Sequence, residues 1–178
     1  MHHTLGLYGK HQHGIIHLYI SLAKLTRIPL IGNIVRWVAN TYGKLGHSGY
    51  SLTLSEAEKI VDIAKTVAVG PCSCREEFHN CKNSVMSEIV LGNGSSKVYA
   101  DRTNEFRSVS KEEAKEILRQ AHKNNLIQSI MRCGNNYYAL CSCCSCCCVP
   151  LRLRNQFGIG RALVRNTQVV EDFQRRQI

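Results

Sequence analysis

Residues 141 to 148 read CSCCSCCC, six thiols in eight residues. A second stretch, PCSCREEFHNC from Pro71 to Cys81, carries Cys72, Cys74 and Cys81, and Cys133 completes a set of ten cysteines. An ordinary apolar interior does not need thiols at that density. Disulfides answer it poorly. Bridged cysteines prefer Cα atoms about 5.5–6 Å apart and a specific dihedral, so Cys146, Cys147 and Cys148 cannot easily pair with one another. The first residues, MHHTLGLYGKHQHG, are polar and His-rich rather than the apolar core of a secretory signal. The expectation is therefore a cytoplasmic chain with reduced thiols, and clustered reduced thiols point to metal.

Which metal follows from the count. A structural zinc site uses two Cys-x2–4-Cys knuckles around one ion. Cys143 with Cys146, and Cys144 with Cys147, have that spacing, but one zinc would leave six thiols idle. A four-iron cluster takes one thiolate per iron, so closely spaced cysteines can serve different irons of one cluster. Ten cysteines suffice for one or two such clusters. The candidate ligands are Cys72, Cys74, Cys81, Cys141, Cys143, Cys144, Cys146, Cys147 and Cys148, with Cys133 as a further candidate. Zinc is the alternative. Arg75 reads either as a surface cation or as a charge that tunes the centre from beside it. His79 is a secondary ligand candidate.

Charge is uneven. The net +10 gathers at the two ends: no Asp or Glu precedes Glu56, and the segment from Leu151 has six arginines against Glu171 and Asp172. Such a chain suits an acidic redox protein, a larger enzyme complex or an anionic membrane face. Residues 15–38 repeat apolar positions at helical spacing but are broken by Lys24, Arg27, Pro29 and Arg36, too often for a spanning helix. They form an amphipathic pair, and peripheral membrane contact through 15–38 is one expectation.

The middle carries a degenerate repeat. TLSEAEKIVDIA from Thr53 and SKEEAKEILRQA from Ser110 both open with a capping box and place small and aliphatic residues on one face. Each is followed by an extended run ending in Cys-Ser-Cys, the second folding as a hairpin at Gly134, Asn135 and Asn136. Residues 92–109 read as a surface loop and Ile159–Val164 as a short helix. The expected fold is α+β, mainly helical with a small β-hairpin of winged-helix type and a cysteine-rich metal centre. The expected organisation is a basic helical arm (1–50), a cysteine-rich iron–sulfur domain (51–150) and a basic C-terminal tail (151–178).

VAVGPCSCREEFHNC followed by YYALCSCCSCCC resembles a group of ferredoxin-related iron–sulfur proteins of anaerobic bacteria and archaea, with a C-x-C-R stretch, a further Cys nearby and a CNCCxCCC-like block. The resemblance spans roughly residues 53–170 and implies cluster binding and a redox role. Two departures stand out. The paired ferredoxin motifs that follow the block in those proteins are missing from this sequence, and NSVMSEIVL after Cys81 lacks their additional cysteine. The leading functional expectation is electron transfer, as a small redox subunit rather than a stand-alone enzyme. One alternative is an enzyme or sensor using a four-iron cluster with an open iron. The other is a zinc-stapled nucleic-acid-binding protein, disfavoured because Glu112, Glu113 and Glu116 crowd the candidate recognition helix. No hydrolase triad, phosphate loop or dinucleotide fingerprint is present.

Overall fold

A computed structural model of the chain describes residues 11–92 and 104–176. Two of its helices realise the repeat. Helix α3 (Leu54–Ile63) opens on a full capping box: the Thr53 hydroxyl accepts the Glu56 N–H at 3.2 Å and the Glu56 carboxylate accepts the Thr53 N–H at 2.8 Å. Helix α5 (Lys111–Lys123) opens with the Ser110 hydroxyl accepting the Glu113 N–H at 3.1 Å. These bonds satisfy amide donors that a helix start otherwise leaves orphaned. The two helices bury Ala57, Ile60 and Val61 with Ala114 and Leu118, and Lys115–Asp62 (2.6 Å) and Arg119–Glu58 (2.7 Å) tie them at the rim.

Both helices, joined by α7 (Val169–Arg175), cover one face of a seven-stranded sheet. In chain order its strands are β1 (His47–Ser51), β2 (Val67–Pro71), β3 (Met86–Leu91), β4 (Arg107–Ser108), β5 (Ile127–Cys133), β6 (Asn136–Cys143) and β7 (Leu163–Arg165). In space the order is β4-β2-β3-β6-β5-β1-β7, antiparallel except for β1 with β7. The sheet component is thus larger than one hairpin. The hairpin turns where its Gly and Asn residues placed it, but β1 and β3 pair with both its outer edges, so it is no free wing. Strands β1 and β3 carry little period-2 alternation, which hid them in the sequence.

The opposite face carries α6 (Val149–Phe157) and an N-terminal helical pair, α1 (Gln12–Lys24) and α2 (Gly32–Leu45). Ile16, Ile20 and Ala23 of α1 pack on Val149, Phe157 and Ile159. The bend between the helices is close: a Cβ on Gly32 would stand 2.3 Å from the Thr26 carbonyl oxygen. Arg36 fastens the pair by donating to the carbonyls of Phe157 (3.2 Å) and Thr26 (2.9 Å). The segment after residue 150 is also part of the packed body. Residues 159–164, read as a helix, instead form a 3-10 turn and β7, and Phe173 of α7 is wholly buried. Of the 92–109 stretch, 93–103 lie outside the described residues, and Arg107–Ser108 pair with β2.

Candidate metal centre

Strand direction brings the two Cys-Ser-Cys segments together. Strands β2 and β6 are each antiparallel to β3, so they run parallel to one another and end at the same side of the sheet. Their registers also agree, because Val69 and Leu140 both stand opposite Ile89. Cys72 and Cys143 each lie three residues further on. The β2 register shifts by one residue at Gly70/Pro71, so they emerge within about one residue of each other, one intervening strand apart, or roughly 10 Å. Cys141 and Cys143, two residues apart on a strand, share a face.

Local chemistry then folds the remaining thiols inward. Pro71 has no N–H to continue the ladder and ends β2. Cys72 caps the short helix α4 (Ser73–Phe78), accepting the N–H groups of Arg75 and Glu76 at 2.9 Å each. His79 closes α4 in the left-handed region (φ 47°); it is exposed and is not among the residues grouped for metal binding. The chain turns back so that Asn80 donates to the Cys146 carbonyl (3.1 Å) and Asn83 to Cys81 Sγ (3.5 Å). On the other side Cys148 caps α6, with Pro150 in the first turn, where its missing N–H costs nothing. The intervening residues form a tight turn closed by Cys148 N–H to the Cys144 carbonyl (3.0 Å).

The result is two adjoining groups of thiols. Cys81, Cys144, Cys146 and Cys147 have all four Sγ atoms within 4.8 Å of one another, with 3.7 Å between Cys81 and Cys144 and 3.8 Å from Cys147 to both Cys81 and Cys146. Four cysteines so placed could hold a metal ion. With metal–sulfur bonds of about 2.3 Å, four thiolates on one tetrahedral ion stand about 3.8 Å apart, so the spacing fits a single ion. Beside this group lies a pocket of about 50 Å³. Cys72, Cys74, Cys141, Cys143 and Cys148 line it, and Cys144 and Cys147 form its shared wall with the first group. A water needs only about 10–15 Å³ on this scale, so there is room for a group of several atoms. Cys133 belongs to neither group. It pairs with Asn136 at the far end of the hairpin, whereas Cys143 pairs with Ile127. Six strand residues separate the two positions, about 20 Å. All ten cysteines are free of disulfides.

Arg75 is the electrostatic centre. It is 2% exposed, a buried cation and not a surface one. It donates to the carbonyls of Ser84 and Ser142 and to the Ser87 hydroxyl (2.6 Å), clamping α4 across β3 and β6. Burial works against its charge, and the neighbouring sulfurs of Cys72, Cys144 and Cys143 outweigh it. The thiols divide accordingly. Burial, with Cys74 and Glu88 nearby, pushes Cys72 well up, and burial with Glu88 does the same to Cys141. Cys148 is raised by its hydrogen bonds to Cys143 and Cys74 and by burial. Burial also opposes ionisation of Cys144, yet hydrogen bonds from Cys146 and Arg75 bring it down to about 6. So many thiols cannot all ionise side by side unless cations stand among them, which a metal–thiolate assembly supplies.

Sequence reasoning missed several lining residues. Gln12 and Ile16 reach the pocket from α1, and Glu88 from β3. Gln12 Oε1 and Arg75 Nε are buried without a hydrogen-bond partner. Ser129 stands 3.1 Å from Cys143 Sγ. None carries a local signal, since each arrives through tertiary packing. Elsewhere, His13 Nδ1 meets Glu77 at 2.5 Å and His17 pairs with the same carboxylate, fastening α1 to α4. Comparison with family models, curated proteins and solved structures returned no match for this chain.

Proposed function

We propose that the protein is an iron–sulfur redox protein that passes electrons to an acidic partner, as a small subunit or partner of a larger enzyme. The observation that carries this reading is the convergence of nine cysteines from two distant segments on one buried site beside a buried arginine. A single zinc needs four ligands, and the pocket leaves five further thiols with room for a multi-atom group. In the fit with an iron–sulfur cluster, Cys72, Cys74, Cys141, Cys143 and Cys148 supply the ligands in the pocket, and the cluster supplies one-electron redox chemistry. Arg75 places positive charge and N–H donors beside it, which stabilises the more negative, reduced state and raises the potential. The sheet ends and the Arg75 clamp hold the sulfurs in place, which limits rearrangement between oxidation states. The chain's positive charge at both ends favours an acidic surface on the partner.

The test is anaerobic purification with iron, acid-labile sulfide and zinc assays, followed by EPR of the dithionite-reduced protein. Several irons and sulfides per chain with a reducible signal are expected. A colourless protein with stoichiometric zinc and no sulfide rejects the proposal.

A second reading has its own support. The sulfur spacing of Cys81, Cys144, Cys146 and Cys147 suits one tetrahedral zinc or iron, which would staple the turn before α6 to the loop after α4. It is compatible with a cluster in the pocket and becomes the whole function only if sulfide is missing. Nucleic-acid binding gains little, because Lys115 and Arg119 of α5 are paired with carboxylates, Lys115 with Asp62 and Glu112 and Arg119 with Glu58, and the same helix carries Glu112, Glu113 and Glu116.

A further inference from the structure

One surface plays no part in the thiol chemistry. On α1 and the turn after it, Leu18, Leu22, Leu25 and Ile28 are exposed; on α2 and the residues leading into it, so are Leu30, Ile31, Ile34, Trp37, Val38 and Leu45. The spacing puts them on one stripe of each helix, on α1 opposite Ile16, Ile20 and Ala23, which pack toward α6, and on α2 away from Gly43, which packs on Arg161. Single exposed aliphatics are ordinary, but this many on two consecutive helices and the turn that joins them are not. Leu30 is 93% exposed at the tip of the hairpin with φ 70°, a backbone region that leucine rarely adopts. Trp37 is 70% exposed.

We infer that this hairpin face docks on an anionic lipid surface, lying in the interface with Leu30, Ile34 and Trp37 inserted. Charge selects the partner. Lys24, Arg27 and Lys44 are exposed on the same hairpin, which has no carboxylate of its own; the carboxylates that reach it, Glu76 and Glu77 of α4, meet His13 and His17 near the start of α1, away from the hairpin tip. The apolar set is mainly aliphatic, with Trp37 and Tyr42 as its aromatics, the two residue types enriched at a headgroup–acyl boundary. No helix among the described residues is long and apolar enough to cross a membrane, so the hairpin lies on the bilayer. Gln12 and Ile16 at the start of α1 line the thiol pocket, and Leu25 follows its last turn, so docking holds that pocket within about 20 Å of the lipid.

Trp37 is the single tryptophan of the chain and reports directly. The full-length, metal-loaded protein is mixed with phosphatidylcholine vesicles with and without phosphatidylserine. Expected are co-sedimentation and a blue shift of Trp37 with the anionic vesicles, quenching by brominated acyl chains, and loss of binding in high salt. Leu30→Ser combined with Ile34→Ser weakens binding by about tenfold or more while metal content and circular dichroism stay unchanged. That separates this inference from the redox reading, which it does not need. Absence of binding to either vesicle overturns it, as does equal binding to both. A Trp37 already blue-shifted in the free protein also overturns it, because a second copy would then cover the face. Capture by an acidic polypeptide without vesicle binding reassigns the surface to a protein partner.

Discussion

Replacing Arg75 by methionine tests the idea that a buried cation organises the thiol site. Methionine keeps most of the apolar length but removes the charge and the donors to Ser84, Ser87 and Ser142. Hydrogen bonds from a charged donor contribute about 1.5–3 kcal/mol each, and they are not additive because the three share one group. Removing the donor leaves three buried acceptors unsatisfied at about 1–3 kcal/mol each, or about 3–5 kcal/mol together once their sharing of one group is allowed for. At 2% exposure solvent returns almost none of that. For a domain of this size each kcal/mol moves Tm by about 2–4 °C, so a fall of roughly 6–20 °C is expected in anaerobic thermal unfolding. Arg75→Lys keeps the charge without the fork and should fall between the two. Metal retention against a chelator should follow the same order, because the nearest cation to an anionic metal–thiolate assembly is lost. Wild-type melting and wild-type metal retention in Arg75→Met would refute the reasoning.

Cys81→Ser or Cys147→Ser should remove about one metal equivalent by elemental analysis, since each sulfur lies within 4.8 Å of the other three in its group; Cys133→Ser, about 20 Å along the hairpin, should leave the content unchanged. Burial pushes the Glu56 carboxyl up, but Arg165 and the Thr53 backbone and hydroxyl outweigh it and hold it below the usual glutamate range. Its folded value is depressed, so its stabilisation is present above the unfolded glutamate range and disappears as pH falls through the folded value. Glu56→Gln should flatten that part of the acid limb in urea titrations at successive pH values. Phe173→Ala should cost about 3–5 kcal/mol in urea unfolding, because its ring is wholly buried and meets Tyr137 edge-on at 5.9 Å; a loss under about 1 kcal/mol would mean that α7 is not part of the core.

Local order was legible wherever neighbouring residues decide it. Thr53 with Glu56 and Ser110 with Glu113 announce their helices, because a cap bond closes within four residues. Gly134 and Asn135 announce the hairpin turn for the same reason. The cysteine blocks announce a cluster of thiols through their composition alone, and four of them stand where they could hold a metal ion. Less legible were β1, β3 and β7, whose pairing depends on partners up to more than a hundred residues away: Gly49, for example, lies beside Leu163.

The sequence by itself determined that this chain has capped helices feeding extended runs, a surplus of thiols and a basic, carboxylate-free N-terminal stretch. Those properties belong to residue types and to contacts a few positions apart. Only the tertiary structure decided that β2 and β6 run parallel on either side of β3, so that Cys72 and Cys143 come out at the same side of the sheet. It also decided that Arg75 is enclosed, that Cys133 is left at the wrong end of its strand, and that four sulfurs stand apart from five. Register and burial depend on how the whole sheet is paired and covered, and a residue's neighbours along the chain carry no record of that.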